Sequence, residues 1–215
     1  MAPHVKARPF RVRADAIEGW KAMSQLRVRC AREDDAEAIA AIYRPFVLES
    51  VVSFETKAPD AAEMQARIAD TGRIYPWLVA DDRGRVAGYA YASRHSERAA
   101  YQWSVNVAIY LHAAYRRQGL GTRLYRILFE VLKLQGFHSL FAGIALPNDA
   151  SVALHKTMGM DEVGVYRNVG FKFGAWRDVA WFGMSFDNDR PPGGPPLRFE
   201  ALVDKDIEAV LDRWP

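Results

Sequence analysis

The chain has 215 residues, half of them apolar, with one cysteine and a formal net charge of +3 at pH 7. That is apolar matter enough for one substantial core, and the lone cysteine excludes an internal disulfide framework and fits a reducing compartment. A charge of +3 without a long basic run argues against nucleic acid as a partner; no apolar run is long enough for a membrane span and the N-terminus lacks a signal-peptide core, so a cytoplasmic location is expected.

Residues 1–25, basic at first and weakly amphipathic over 16–23, read as an extension ahead of the domain. A short alternating strand at 26–31 opens the domain and gives Cys30 a packing role. A helix follows from Asp34 or Asp35, with Ala36, Ile39, Ile42, Tyr43, Phe46 and Val47 on its apolar side; Pro45 inside that pattern predicts a break near Tyr43. Residues 51–56 form an extended loop. Asp60 with Glu63 three residues on resembles a capping box and predicts a helix over 61–69.

Strands at 75–80 and 85–91 are joined by an Asp-Asp-Arg-Gly turn into a hairpin. A polar loop, 93–99, leads to a segment with bulky apolar residues at 101, 103, 105, 107, 109 and 111, the period-2 signature of a strand with one buried face. After the turn Arg116-Arg117-Gln118-Gly119-Leu120-Gly121 comes a helical stripe over 122–135 that stops at Gly136. Residues 139–145 form a buried strand, and Asn148 caps a short helix over 150–158. Strands at 163–166 and 179–186 close the sheet around an aromatic loop, 171–176. A Pro/Gly-rich linker from 187 to 196 precedes a last helix, 204–213. The order gives one mixed α/β (α+β) domain over 26–187, an antiparallel meander entering a central strand and then strand-helix-strand, with 188–215 as a tail.

The turn at 116–121 carries the chemistry. Unpaired N–H groups at a helix start bind phosphate, glycines let the backbone come close, and two arginines add charge. A tight strand-to-helix turn without ligand has the same outline. A P-loop is excluded because Thr122-Arg123 follows Gly121 where Lys-Ser/Thr is needed, and a dinucleotide fingerprint because Leu124 replaces its third glycine. The remaining pattern, R-x-x-G-x-G, resembles the pyrophosphate loop of the GNAT acetyltransferase superfamily, which binds acetyl-CoA there.

Further blocks narrow the resemblance: Val52-Ser53-Phe54-Glu55-Thr56, Tyr75-Pro76-Trp77-Leu78-Val79-Ala80, Ala87-Gly88-Tyr89-Ala90-Tyr91-Ala92, Leu146-Pro147-Asn148-Asp149-Ala150-Ser151-Val152, His155 and Gly170-Phe171-Lys172-Phe173-Gly174. Together they are similar to the phosphinothricin and methionine sulfoximine N-acetyltransferases, over roughly 26–186. The resemblance implies a mixed, mostly antiparallel sheet flanked by helices, an acetyl-CoA-dependent enzyme acting on a small amino acid or analogue, no metal, and a homodimer; Phe171, Phe173 and Trp176 read as packing or as a dimer contact. Rival acceptors are a polyamine, an aminoglycoside or a protein N-terminus; a rival class is a CoA-binding module with little catalysis.

The same resemblance implies the site. Arg116, Arg117, Gln118, Gly119, Leu120, Gly121 and Thr122 would hold the pyrophosphate. The backbone of Ile109, Tyr110 and Leu111 would pair with the pantetheine amides as an added strand does. Asn148 and Ser151, already a cap and first turn, would line the CoA arm, and Phe54, Arg98 and Tyr101 the pocket for the acceptor's head. His155 would protonate the departing thiolate. Asn106 stands where the family has a glutamate base; an amide cannot usefully accept a proton, so Asn106 either orients a water through its oxygen or has no catalytic role. Glu55 is either a substitute base or a solvated loop charge.

Overall fold

Alternation along two adjacent strands divides the interior into two cores. The computed structural model describes residues 26–186 and 191–213; the expected N-terminal extension and the start of the linker lie outside the described residues. In chain order the elements are β1 (Leu26–Cys30), α1 (Ala36–Leu48), α2 (Ala61–Gly72), β2 (Trp77–Asp82), β3 (Arg85–Arg94), β4 (Ser104–Leu111) and α3 (Leu120–Gln135). They continue with β5 (Ser139–Ala145), α4 (Asp149–Thr157), β6 (Asp161–Lys172), β7 (Ala175–Ser185) and α5 (Asp204–Asp212). The sheet runs β1-β2-β3-β4-β5-β7-β6, antiparallel throughout except where β4 meets β5. The expected mixed, mostly antiparallel α/β architecture is the one observed.

On one face Leu78, Ala80, Ala90, Val105 and Val107 pack against the fully buried stripe of α3, Leu120, Leu124, Ile127, Leu128 and Val131. On the other, Trp77, Val79 and Tyr89 meet Ile39 and Tyr43 of α1 and Met64 and Ile68 of α2. Each fully buried leucine is worth about 2 kcal/mol over leaving it in water, so α3 is the main anchor. After residue 190 the chain returns to this body: Leu197 N–H donates to Gln135 O, and the Gln135 side chain donates to Ile74 O and Leu197 O. Ile207 and Val210 bury one side of α5.

Several expectations are corrected. α1 runs through Pro45 instead of breaking near Tyr43, because the proline sits in its last turn and removes only one helical bond; Pro45 O still accepts from Glu49 N–H. β4 begins at Ser104, not at 101: Tyr101 ends a short 3-10 turn, and Gln102 is helical in φ and ψ. The aromatic loop at 171–176 is the tip of one long hairpin, with Phe171 opposite Trp176 and Lys172 opposite Ala175. Most of β6 is exposed, so no apolar alternation marks it, and its register shifts between Tyr166 and Gly170. Among the described residues no helix is long and apolar enough to cross a membrane, and no group of three or more His, Cys, Asp or Glu could hold a metal.

Candidate active site

β4 and β5 pair only through Ser104–Ser139, Val105–Leu140 and Asn106–Phe141. Beyond Asn106 the strands part, while β4 stays paired with β3 as far as Leu111. The β5-facing edge of β4 from Val107 to Leu111 thus carries N–H and C=O groups outside any ladder. Backbone polar groups require partners, so this edge is built to receive a chain of amides.

At the end of β4 the chain turns sharply onto α3. Arg116 Nε donates to Leu111 O at 3.2 Å and its guanidinium lies 5.0 Å from the Phe46 ring centroid. Gln118 Nε2 donates to Ala114 O at 2.9 Å. Gly119 has φ +85°, a left-handed conformation that costs an L-residue about 1–2 kcal/mol, and α3 begins at the next residue. Arg117 adopts φ +61° without being glycine, so strain is stored in this turn. The N–H groups of Leu120, Gly121 and Thr122 open the helix and have no carbonyl within it to bond. This arrangement fits a diphosphate, and with the open strand edge it fits the pantetheine-diphosphate arm of acetyl-CoA.

α4 begins with Asn148 Oδ1 accepting from Ser151 N–H at 3.2 Å. Ser151 O in turn lies 2.7 Å from Nδ1 of His155, and Nε2 of that ring lies 3.0 Å from the Tyr125 hydroxyl. A carbonyl only accepts, so Nδ1 carries the proton and Nε2 accepts from Tyr125. His155 is 3% exposed, and burial pushes its pKa below the ordinary value against the pull of Ser151. The ring is neutral at pH 7 and its one N–H is committed to Ser151.

The other face of β4 looks toward α1 and α2. Asn106 stands opposite Ser93 in the β3–β4 ladder. Its Nδ2 donates to Arg94 O at 3.2 Å, and its Oδ1 lies 2.8 Å from His95 Nδ1. The His95 ring stacks on Phe141, 4.4 Å between centroids, with Tyr101 at 5.7 Å and Trp181 edge-on at 6.2 Å. Tyr101 is 45% exposed. Phe54 lies across the backbone of Gly170 so closely that a Cβ there would stand 2.2 Å from its ring. Arg98 is exposed at the start of the Ala99–Tyr101 turn. Arg67, with Tyr43, Met64, Trp77, Tyr91 and Ser93, lines a cavity of about 130 Å³.

Glu55 is held in a two-pronged pair with Arg67 (2.8 and 2.9 Å) and accepts from Tyr43 Oη at 2.9 Å. Its bond to Arg67, foremost, lowers its pKa, which makes it a poor proton acceptor. Lys172, at the hairpin tip, donates to Val47 O and Ser53 O, each at 2.6 Å. Val47 lies at the carbonyl end of α1, where a cation is favoured, and burial pushes the lysine's pKa down. This ammonium clamps the loop that carries Phe54 and Glu55. The sequence singled out neither His95, Arg67 nor Lys172 for these roles. His95 lay in what read as a polar connection, and its partner becomes visible only once β3 and β4 are in register.

The family described as Acetyltransferase (GNAT) domain matches residues 28–181. A phosphinothricin N-acetyltransferase of Streptomyces viridochromogenes is 38% identical over 170 residues, 78% of this chain and 91% of the relative. An L-methionine sulfoximine/L-methionine sulfone acetyltransferase of Pseudomonas aeruginosa is 33% identical over 165 residues, 76% and 96% of the two chains. The crystal structure of a GNAT superfamily phosphinothricin acetyltransferase from Sinorhizobium meliloti in complex with AcCoA is similar at a TM-score of 0.74 and 35% identity, over 80% of this chain and 95% of that one.

Proposed function

The chain belongs to the GNAT acetyltransferase family and is an acetyl-CoA-dependent N-acetyltransferase, and we propose that its acceptor is the amino group of a small amino acid or analogue, of the phosphinothricin or methionine sulfoximine type. The observation that carries the reading is the parting of β4 from β5 beside the α3 N-terminus, with Asn106 at the fork. The relatives named for those acceptors support the acceptor class.

In this reading the edge of Ile109, Tyr110 and Leu111 holds the pantetheine amides. Arg116, Arg117, Gln118 and the N–H groups from Gly119 to Thr122 hold the diphosphate, with Asn148 and Ser151 beside the arm. Phe54, Tyr101 and Arg98 border the acceptor. An alkylammonium with a pKa near 10 must lose a proton before its nitrogen can attack, and the thiolate must be stabilised as it leaves. Direct protonation by His155 requires its ring to release Ser151; as placed, His155 Nε2 accepts from the buried Tyr125 hydroxyl and orients it. Replacing His155 with alanine then lowers kcat more than it weakens acetyl-CoA binding.

The reading includes the cytoplasm, where acetyl-CoA is supplied and Cys30 stays reduced. It also includes a homodimer. An apolar strip along β6 and the hairpin tip, with Tyr166, Val169, Phe171, Phe173 and Trp176 each more than half exposed, supports that contact. Sedimentation of Trp176→Glu should then show monomers.

The deciding experiment follows thiol release by the purified protein with phosphinothricin, methionine sulfoximine and methionine sulfone, beside spermidine, an aminoglycoside and an N-terminal peptide. Turnover with the amino-acid analogues is expected. Turnover confined to the cationic acceptors or the peptide overturns the acceptor class, and tight acetyl-CoA binding without release in any arm reduces the chain to a binding module.

A further inference from the structure

We infer that His95 is the catalytic base that takes the ammonium proton, and that Asn106 is its positioning residue. The inference rests on the acetyl transfer proposed above and identifies the group that removes the proton. It starts from the amide of Asn106, whose orientation is fixed by its surroundings. Nδ2 donates to the backbone carbonyl of Arg94, so Oδ1 must face His95. An amide oxygen only accepts, so at 2.8 Å the His95 Nδ1 must be protonated. In the neutral imidazole this leaves the lone pair on Nε2, which has no hydrogen-bond partner among the described residues. An imidazole with Nδ1 tied to an orienting partner and Nε2 open is the arrangement of a general base; an asparagine serves as the orienting partner in Cys-His-Asn proteases.

Its surroundings agree. The ring is flat against Phe141, the β5 residue paired with Asn106 at the last rung before the strands part. Tyr101 and Trp181 stand on other sides of it. None of these neighbours is a carboxylate or an ammonium. Arg94 and Glu97, close in sequence, pair with each other, and Arg98 is exposed. Glu55, the nearest rival by sequence, is held by Arg67 and Tyr43. An imidazole nitrogen offers a lone pair that can take a proton, which the Asn106 amide does not.

The step balances. Nε2 takes one proton from the ammonium and becomes imidazolium. The freed amine forms a C–N bond to the thioester carbonyl carbon as the C–S bond breaks with its electron pair on sulfur. The second nitrogen proton compensates the thiolate, and the imidazolium returns its proton to water. The products are the amide, the free thiol and one proton.

The test compares wild type with His95→Gln, which keeps a donor for Asn106 but has no basic nitrogen, and with His95→Phe, which keeps the stack on Phe141. Acetyl-CoA affinity by calorimetry controls for folding and should not move. With methionine sulfoximine as acceptor, kcat/KM at neutral pH should fall about 10²-fold or more in both variants. The acid limb of the pH–rate profile should move up to the range where the amine loses its proton unaided. Added imidazole should restore part of the rate in His95→Ala. Asn106→Asp, which puts a negative charge on Nδ1–H, should shift the acid limb of the otherwise native enzyme to higher pH. A wild type that turns over while His95→Gln and His95→Phe keep its rate and pH profile overturns this inference and leaves the acetyl transfer standing. A wild type that releases no thiol with any amino-acid acceptor overturns both.

Discussion

The two sides of β4 are made of different material. Toward β5 and α3 the site is backbone: an open strand edge from Val107 to Leu111 and the N–H groups after Gly119, all within one run of sixteen residues, 107–122. Toward α1 and α2 it is side chain: Phe54, Arg67, His95, Tyr101, Asn106 and Phe141, brought from five separate elements and loops. A site of backbone atoms depends on dihedral angles and tolerates many residues. A site of side chains depends on which residues meet, so one replacement redirects its chemistry. The comparison explains how the proposed cofactor side can keep a turn that resembles the family's while the proposed acceptor side presents an amide, Asn106, at the fork.

The sharpest way to break this division is Lys172→Met. Two charge-assisted bonds to Val47 O and Ser53 O vanish, and unfolding free energy from denaturant titration should fall by about 2–3 kcal/mol. The freed loop should raise the acceptor KM while acetyl-CoA affinity stays within about twofold. A parallel loss of acetyl-CoA affinity would show that the two sides are one unit. Gly119→Val attacks the backbone side. Its φ of +85° resists any L-residue and the new side chain crowds the diphosphate, so calorimetry should show affinity weakened at least tenfold, about 1.4 kcal/mol. At saturating acetyl-CoA its pH–rate profile should remain that of the wild type.

On the α3 side lies His155, its ring against Tyr125 and Phe182. Burial holds its folded pKa below the unfolded value of 6.5, so as pH falls through about 6.5 the unfolded chain binds a proton that the folded chain refuses. Stability from this group is therefore complete above that range and lost below it, by up to about 1.4 kcal/mol per pH unit. His155→Phe should flatten the melting temperature between pH 7 and 5 relative to wild type. A slope unchanged by the substitution would assign the acid lability to other groups. The smallest effect belongs to Arg117→Gly. Removing a strained left-handed residue should raise stability by a few tenths of a kcal/mol, after glycine's own entropic cost, while the lost charge weakens acetyl-CoA binding.

How much was legible follows the same division. Asp60 capping α2, Asn148 capping α4 and the α3 stripe are short-range patterns, and each stands where the sequence puts it. The lower edge of β4 was misplaced because Tyr101 and Trp103 continue the alternation while Gln102 turns helical. The β6–β7 hairpin was cut short because its outward residues are apolar as often as its inward ones. Asn106 was legible as a departure, but its partner was not. His95 lies eleven residues away, and only the register that sets Ser93 against Asn106 brings the two together.

The fork between β4 and β5 has one further consequence. The two halves of the sheet share only a short seam of β4–β5 pairs, and in the proposed binding mode the donor would extend it by lying along the exposed edge as an added strand. A ligand that binds only the folded form adds RT ln(1 + [L]/Kd), about 2.7 kcal/mol at a hundredfold excess. In that mode the chain's stability rises with the logarithm of the acetyl-CoA concentration around it. When the pool runs low, the seam opens more often and proteases reach it sooner. On that binding mode the supply of acetyl groups would set not only how fast each copy works but how many copies persist.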